Sequence, residues 1–149
     1  MHQQQQMLET HYVIKKSVLT GIEQTKHMSH LENYGTYTPT LTGITNVTST
    51  TSRKATWMKV GRTVTVAGQF EVTPTINNAQ TKLAFSLPVA SNFGTQYEAC
   101  GVASTYGTGV TEHSGGFYAD ATNNRVELDY FETHGGVNTF SYQFTYEII

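Results

Sequence analysis

Thr139-Phe140-Ser141-Tyr142-Gln143-Phe144-Thr145-Tyr146-Glu147-Ile148 alternates polar and apolar residues without a break. A period of two residues predicts a β-strand with one face in a core and the other face in water. Leu83, Phe85 and Leu87 repeat this alternation in a shorter stretch, which Pro88 ends. Because the pattern runs through most of the chain after Gly35, we expect residues 35–149 to form an all-β domain. The expected architecture is an antiparallel β-sandwich of jelly-roll type.

Gly61-Arg62 lies between two such runs and predicts a β-hairpin. A two-residue turn with glycine in its first position fits type II′. This turn predicts the register of the two strands: Val60 opposite Thr63, Lys59 opposite Val64, and Trp57 opposite Val66. Opposed residues share a face of the sheet, so Trp57 joins a core strip with Val64, Val66, Gly68 and Phe70.

Asn123-Asn124 predicts a second hairpin, because asparagine accepts the positive φ that a type I′ turn requires. The predicted register places Ala121 opposite Val126, Ala119 opposite Leu128, and Phe117 opposite Tyr130. The other face of this hairpin then carries Tyr118, Asp120, Glu127 and Asp129. Turn chemistry explains Asp120–Asn124 better than a calcium loop, since the EF-hand spacing and its distal glutamate are missing.

The composition excludes several classes of protein. Charged residues make up 13% of the 149 residues and the formal net charge is −2, which argues against a nucleic-acid-binding protein. No apolar run approaches the ~20 residues of a membrane-spanning helix, so we expect no membrane insertion. Cys100 is the only cysteine, so an intrachain disulfide is impossible and we expect a buried structural thiol. It lies in a predicted strand of small residues, Ala99, Gly101 and Ala103.

No pattern of catalytic residues interrupts the predicted strands. Nucleophile-elbow, dinucleotide-binding and Walker A motifs are missing, and His27 and His30 lack the further ligands of a zinc site. We therefore expect no catalytic residue, no cofactor and no metal site, and a protein that is not an enzyme. One alternative stays open for metal, because a symmetric trimer brings one histidine per chain to a three-ligand site on its axis.

Residues 1–34 differ from the rest of the chain and are expected to form an anchoring segment. They include the glutamine run Gln3–Gln6 and contain no proline. Apolar residues, most of them at helical spacing, predict a partly helical segment that docks onto another component of an assembly: Met7, Leu8, Tyr12, Leu19 and Ile22. Gly21 weakens a helix and Val13-Ile14 also fits the start of a strand, so both structures stay open for residues 7–32.

Glycines concentrate in the second half of the chain, at positions 107, 109, 115, 116, 135 and 136. They predict loops at one end of the sandwich, where binding residues are often found. Tyrosine combines an apolar ring with a polar tip, which suits contacts with sugars and proteins. The candidate binding residues of this late-loop surface are Tyr106, His113, Tyr118 and Asp129. The alternative is that the tyrosines fill the rim of the sandwich.

Three segments of the chain occur in a characteristic order: Gly35–Gly43 (GTYTPTLTG), Ala55–Phe70 (ATWMKVGRTVTVAGQF) and Phe85–Phe93 (FSLPVASNF), followed by Cys100-Gly101. In this combination residues 35–105 resemble the C-terminal domain of bacteriophage fibre, spike and receptor-binding proteins. Lys59, Val60 and Gly61 match the hairpin motif of that family, and the match implies a structural role for them. It carries over no catalytic residue.

The resemblance implies a trimeric β-sandwich head of a fibre or spike, exposed on a bacteriophage particle that is assembled in the bacterial cytoplasm. The implied partners are further copies of the chain, other virion proteins bound through residues 1–34, and a host surface glycan or protein. The short segment before the head favours a spike or head fibre over a long tail fibre. Three alternatives stay open: a capsid decoration protein without a receptor, a free-standing carbohydrate-binding module or lectin, and a depolymerase that uses Glu127 or Asp129.

Overall fold

Strands dominate the part of the chain that the structure describes. The computed structural model describes residues 32–106 and 112–149. Its strands are β1 (Glu32–Tyr37), β2 (Leu41–Thr45), β3 (Val47–Ser52), β4 (Ala55–Val60), β5 (Thr63–Pro74), β6 (Ala79–Phe85), β7 (Ala99–Thr105), β8 (Ser114–Asp120), β9 (Arg125–Glu132) and β10 (Asn138–Glu147). A 3-10 turn, Gln96–Glu98, precedes β7. No helix among the described residues is long and apolar enough to span a membrane.

The predicted anchor lies outside the described residues. Met7, Leu8, Tyr12, Leu19 and Ile22 all precede residue 32. Their anchoring role, and the boundary at residue 34, therefore stay predictions.

The strands form one antiparallel sheet in the order β1-β4-β5-β10-β7-β8-β9-β6-β2. The alternating stretch that predicts the fold is β10, which lies between β5 and β7. Its inward residues Phe140, Tyr142, Phe144 and Tyr146 are all buried. The strand prediction for this stretch, including which face enters the core, is confirmed.

β2, the last strand of this order, and β3, which follows β2 in the chain, pair with strands in different parts of the sheet. They are separated along the chain by Asn46 alone, yet β2 pairs with β6 and β3 pairs with β5. Asn46 adopts a φ of 56°, and its Oδ1 accepts hydrogen bonds from the backbone N–H groups of Thr75 at 3.1 Å and Ile76 at 2.8 Å. The sheet therefore curls around one core, and the two faces of the predicted sandwich are opposed halves of this curled sheet. The all-β antiparallel fold class is confirmed.

Aromatic rings fill the core. The ring of Phe85, which is fully buried, lies 5.1 Å from that of Phe70 and 5.2 Å from those of Phe117 and Tyr142. Edge-to-face and tilted arrangements of this kind add stability beyond the burial of area. The prediction that Leu87 lies in the same strand as Phe85 is wrong, because β6 ends at Phe85.

The first predicted hairpin has the expected register. β4 and β5 pair with Val60 opposite Thr63 and with Trp57 opposite Val66. Gly61 has a φ of 59°, as the first position of a type II′ turn requires. The predicted turn and its register are confirmed.

The predicted register of the second hairpin is wrong by two residues. β8 and β9 pair with Phe117 opposite Leu128, which leaves Ala121–Asn124 as a four-residue loop. The Asp120 carboxylate explains the longer loop, because it accepts hydrogen bonds from the backbone N–H groups of Thr122 and Asn123 at 3.0 and 3.2 Å. A shift of two residues keeps every side chain on its predicted face.

Cys100 is exposed, so the expectation of a buried thiol is wrong. Ala99 and Ala103 of β7 are buried, and the alternation of the strand therefore points Cys100 and Val102 outward. The small residues of β7 do meet a close neighbour. A Cβ atom on Gly101 would lie 2.5 Å from the Cα of Phe144 in β10, which is too close for any side chain.

Candidate functional site

One half of the outer face carries a continuous set of charged and polar side chains on β6, β8 and β9. Lys82 Nζ lies 3.2 Å from Asp129 Oδ2 and donates a hydrogen bond of 3.4 Å to the Tyr118 hydroxyl. That hydroxyl in turn donates to Glu127 Oε2 at 2.9 Å. The outer polar network, as we call it, comprises Lys82, Tyr118, Asp120, Arg125, Glu127 and Asp129.

Arg125 extends this network to the loop between β8 and β9. Its Nε donates to Asp120 Oδ2 at 2.8 Å and its Nη2 donates to Glu127 Oε1 at 3.0 Å. The Asp120 and Glu127 side chains are only 12% and 13% exposed. Charge-assisted hydrogen bonds that are shielded from water are stronger than neutral ones. We therefore expect this part of the surface to be rigid.

Tyr118 and Lys82 have definite protonation states at neutral pH. Burial raises the pKa of the Tyr118 hydroxyl, and its hydrogen bond to Glu127 raises that pKa further. Hydrogen bonds to Asp129 and Tyr118 raise the pKa of the Lys82 ammonium group. Tyr118 therefore remains a neutral donor and Lys82 remains a cation.

Asp120 holds the β8–β9 loop and Arg125 together. Partial burial raises the pKa of its carboxyl group, but hydrogen bonds from Asn123 and Arg125 outweigh burial and lower that pKa from 3.8 to about 2. The unfolded chain therefore binds this proton more readily than the native state does. The carboxylate contributes stability above about pH 4, and this contribution is lost as the pH falls toward 2.

We expect Asp120→Asn to lower the free energy of unfolding at neutral pH by about 1–2 kcal/mol, because it removes the charge that Arg125 faces. The difference from wild type should shrink between about pH 4 and pH 2, where the wild-type carboxylate becomes protonated. Urea unfolding followed by Trp57 fluorescence measures both quantities. Glu112→Gln, at an exposed acid, is the control and should change stability by less than about 0.5 kcal/mol at neutral pH. A difference that stays constant down to pH 2 would contradict the assignment.

A groove opens beside the outer polar network. Its volume is about 280 Å³, just below the ~300–1,000 Å³ typical of small-molecule sites. Arg125 belongs both to the network and to the wall of the groove. Other lining residues are Thr40, Thr42, Leu87, Ala90 and Asn124, so the wall combines hydroxyl and amide groups with apolar patches. A second groove of about 290 Å³, beside Tyr97 and Cys100, contains no residue of the network.

The structure places the four predicted binding residues in three different locations. Tyr118 and Asp129 belong to the outer polar network, where both contact Lys82. The exposed Tyr106 donates a hydrogen bond of 3.1 Å from its hydroxyl to Gln69 Oε1 of β5. His113 is buried, with 5% of its surface exposed, so the prediction that it lies on the binding surface is wrong. The four residues therefore do not form one continuous surface.

Lys82 and Arg125 are not among the binding residues predicted from the sequence. Arg125 could be predicted from one sequence pattern, the alternation of Arg125, Glu127 and Asp129 along one face of β9. Lys82 lies directly opposite Asp129 across the β6–β9 pair, and these positions are far apart in sequence. Only the strand register reveals that their charges meet.

His113 belongs to a buried polar cluster around Glu132, which is fully buried. His113 Nε2 lies 3.3 Å from Glu132 Oε1 and accepts a hydrogen bond of 3.1 Å from the backbone N–H of Thr133. Burial raises the pKa of the Glu132 carboxyl group, but the backbone N–H groups of His134 and Gly135 and the neighbouring His113 lower it below its usual value. The cluster holds the loop between β9 and β10, and its His113 and Glu132 side chains are only 2% and 0% exposed.

The other half of the outer face is nearly free of charge. Outward residues of β5, β10 and β7 include Thr65, Ala67, Ser141, Gln143, Thr145, Cys100, Val102 and Ser104. Val102 is 68% exposed, and Met58 and Val60 of β4 are each 52% exposed. Ion pairs lie at the two ends of β5, one between Arg53 and Glu71 and one between Arg62 and Glu147 next to Thr63. We call the outward residues of β4, β5, β10 and β7, apart from those in the two ion pairs, the uncharged face.

Within residues 32–106 and 112–149, no three His, Cys, Asp or Glu side chains are grouped as metal ligands.

The fold is similar to that of viral attachment fibres. The reovirus attachment protein sigma1, solved in complex with alpha-2,3-sialyllactose, superposes with a TM-score of 0.50 at 13% identity, covering 78% of this chain and 66% of that chain. The C-terminal receptor-binding domain of the avian reovirus fibre sigmaC has a TM-score of 0.53 at 18% identity, covering 78% of this chain and 76% of that chain. A longer sigmaC structure has a TM-score of 0.52 at 18% identity, covering 78% of this chain and 62% of that chain.

The chain spans slightly less than two thirds of the sigma1 structure and of the longer sigmaC structure. No protein-family model matches the sequence, and no curated protein does. The comparisons therefore establish the fold of a viral fibre head.

Proposed function

We propose that residues 35–149 form the receptor-binding head of a viral attachment fibre or spike, exposed on the surface of the particle. The observation that carries this proposal is the outer polar network with its adjoining groove, on a fold that attachment-fibre heads share. A groove with a few fixed donors and acceptors suits recognition of a small ligand. One similar attachment protein is solved with a glycan, sialyllactose. We therefore assign a glycan of the host cell surface as the target.

The finer parts of the proposal rest on the sequence. The resemblance of residues 35–105 to bacteriophage fibre heads supports a bacterial host, in whose cytoplasm the particle is assembled. Residues 1–34, with Met7 to Ile22 as contacts, attach the head to a capsid or tail protein. The protein acts by adhesion and not by catalysis, because Glu127 and Asp129 are engaged by Arg125 and Lys82 and do not stand free as a catalytic pair.

The head acts as a homotrimer through the uncharged face. Burying this face against further copies removes no unpaired charge from water, and Met58, Val60 and Val102 add apolar area. Three copies also present three binding sites, so that weak single contacts combine into firm attachment.

Binding of the purified full-length chain to cells tests the proposal. Fluorescently labelled protein is titrated onto bacterial cells and onto cultured animal cells. In a second experiment, excess unlabelled protein is added to the cells before they are infected with the virus that carries this protein. We expect saturable binding to one cell type, competition with infection, and a mass by light scattering of three times 16.5 kDa. Trimeric protein that binds no cell would contradict the attachment role, whereas a cell-binding monomer would contradict the trimer alone.

A free-standing lectin is the second candidate, since the groove would serve a secreted or soluble glycan-binding protein equally well. Antibody labelling of purified particles separates the two functions. The chain on the particle surface supports the fibre head, and the chain found only in the soluble fraction supports the lectin.

A further inference from the structure

We propose that the groove beside the outer polar network binds an uncharged sugar residue and discriminates against sugars that carry a carboxylate, such as sialic acid. The proposal rests on the proposed attachment function and names the ligand class of the same site. The proposed ligand differs from sialyllactose, the ligand in the complex of the similar reovirus protein. The reason is that the charges around this groove disfavour an anionic ligand.

Arg125 is the one cation among the described residues that line the groove. Its Nε and Nη2 already donate to Asp120 and Glu127 at 2.8 and 3.0 Å. One guanidinium thus faces two carboxylates, and this trio has a formal charge of −1. A carboxylate ligand could bond only to the remaining N–H groups of Arg125 and would meet the net negative charge of the trio, which makes like-charge contact costly.

Lys82 does not supply the missing positive charge. It is engaged by Asp129 at 3.2 Å and by the Tyr118 hydroxyl at 3.4 Å. The whole outer polar network contains two cations, Lys82 and Arg125, against three carboxylates. Recognition of an acidic sugar usually uses a free arginine or lysine, which this surface lacks among the described residues.

The groove instead offers what a neutral sugar needs. Among the described residues, Thr42 Oγ1 and Asn124 Nδ2 have no protein hydrogen-bond partner. Asn124 Oδ1 accepts from the backbone N–H of Phe93 at 2.9 Å, which fixes the orientation of the amide group and leaves its Nδ2 as a donor. Leu87 and Ala90 provide apolar contacts for the C–H face of a sugar ring. The small volume of the groove matches a single ring.

An array of neutral glycans, each printed beside its sialylated counterpart, tests the ligand class on the full-length protein. The best neutral glycan and its sialylated form are then titrated by saturation-transfer NMR. We expect the sialylated form to bind at least about fivefold more weakly, since it places like charges together. Glu127→Gln removes one of the two carboxylates that Arg125 faces. We expect this variant to reduce the affinity difference between the neutral glycan and its sialylated form by about threefold or more.

Two tryptophan substitutions locate the site. Ala90→Trp, at an exposed residue of the groove wall, should weaken neutral-glycan binding by about tenfold or more because it fills the groove. Ile76→Trp, at a 61% exposed position in the loop between β5 and β6 and outside the groove, is the matched control and should change binding by less than about twofold. Circular dichroism and thermal melting establish that both variants fold.

The outcomes separate this inference from the attachment function. Tighter binding of sialylated glycans, or unchanged binding by Ala90→Trp, overturns the inference while attachment to cells stands. Cell binding that resists glycosidases, with no glycan bound on the array, also overturns it and indicates a protein receptor. A protein that binds neither glycans nor cells overturns both the inference and the proposed function.

Discussion

We expect Glu132→Ala to lower the free energy of unfolding by about 3–5 kcal/mol, because removing the buried carboxylate leaves the groups that donate to it without an acceptor. Glu132 accepts hydrogen bonds from the backbone N–H groups of His134 at 2.8 Å and Gly135 at 3.0 Å, and from Asn138 Nδ2 at 2.6 Å. The substitution leaves all three donors without an acceptor and removes the carboxylate that faces His113. Since small domains are stable by only about 5–15 kcal/mol, this loss is a large fraction of the total.

Urea unfolding of wild type and variant measures the loss. Glu71→Ala is the matched control, because Glu71 lies on an outward position of β5 and pairs with Arg53 on the surface. A surface ion pair contributes about 0–1 kcal/mol, so the control should remain close to wild type. Equal losses for the two glutamates would contradict a stabilising role for the buried cluster.

Phe85→Ala should lower the free energy of unfolding by a similar amount, about 3–5 kcal/mol, since it opens a cavity in the centre of the core. The Phe85 ring is fully buried and packs against Phe70, Phe117 and Tyr142 at 5.1–5.2 Å between centroids. These neighbours come from strands around the whole curled sheet, so the sheet cannot collapse into the cavity without losing its pairing.

Phe131→Ala is the control for this prediction. Phe131 is 57% exposed on β9, and its removal should change stability by less than about 0.5 kcal/mol. Phe85→Leu provides a folded intermediate case, with an expected loss of about 1–1.5 kcal/mol. Similar losses for Phe85→Ala and Phe131→Ala would show that the aromatic core does not carry the stability assigned to it.

The strands and their faces are predictable from the sequence because side-chain direction depends only on the alternation of residues. Register is harder to predict, since it depends on how each turn folds. Gly61 leaves little choice, and its hairpin has the predicted pairing. At Asn123-Asn124 the Asp120 carboxylate stabilises a longer loop, and the pairing shifts by two residues.

The candidate site is predictable only in part. Tyr118 and Asp129 follow from outward positions on β8 and β9, but their contacts with Lys82 depend on strands that are distant in sequence. His113 is buried, whereas polar residues are mostly exposed, so its position was not predictable from its residue type. The alternation of Val126, Leu128, Tyr130 and Glu132 does point Glu132 inward, and the buried carboxylate then accounts for the histidine beside it.

The central position of β10 has a consequence for how the chain is made. β10 comes after the other nine described strands in the sequence, yet it lies between β5 and β7. Strands that leave the ribosome earlier therefore cannot close into a sheet until Glu147 has been synthesised. A chain that terminates prematurely leaves the edges of β5 and β7 unpaired, which invites aggregation and proteolysis. Truncated copies are therefore removed by aggregation or proteolysis before they are incorporated into an assembly.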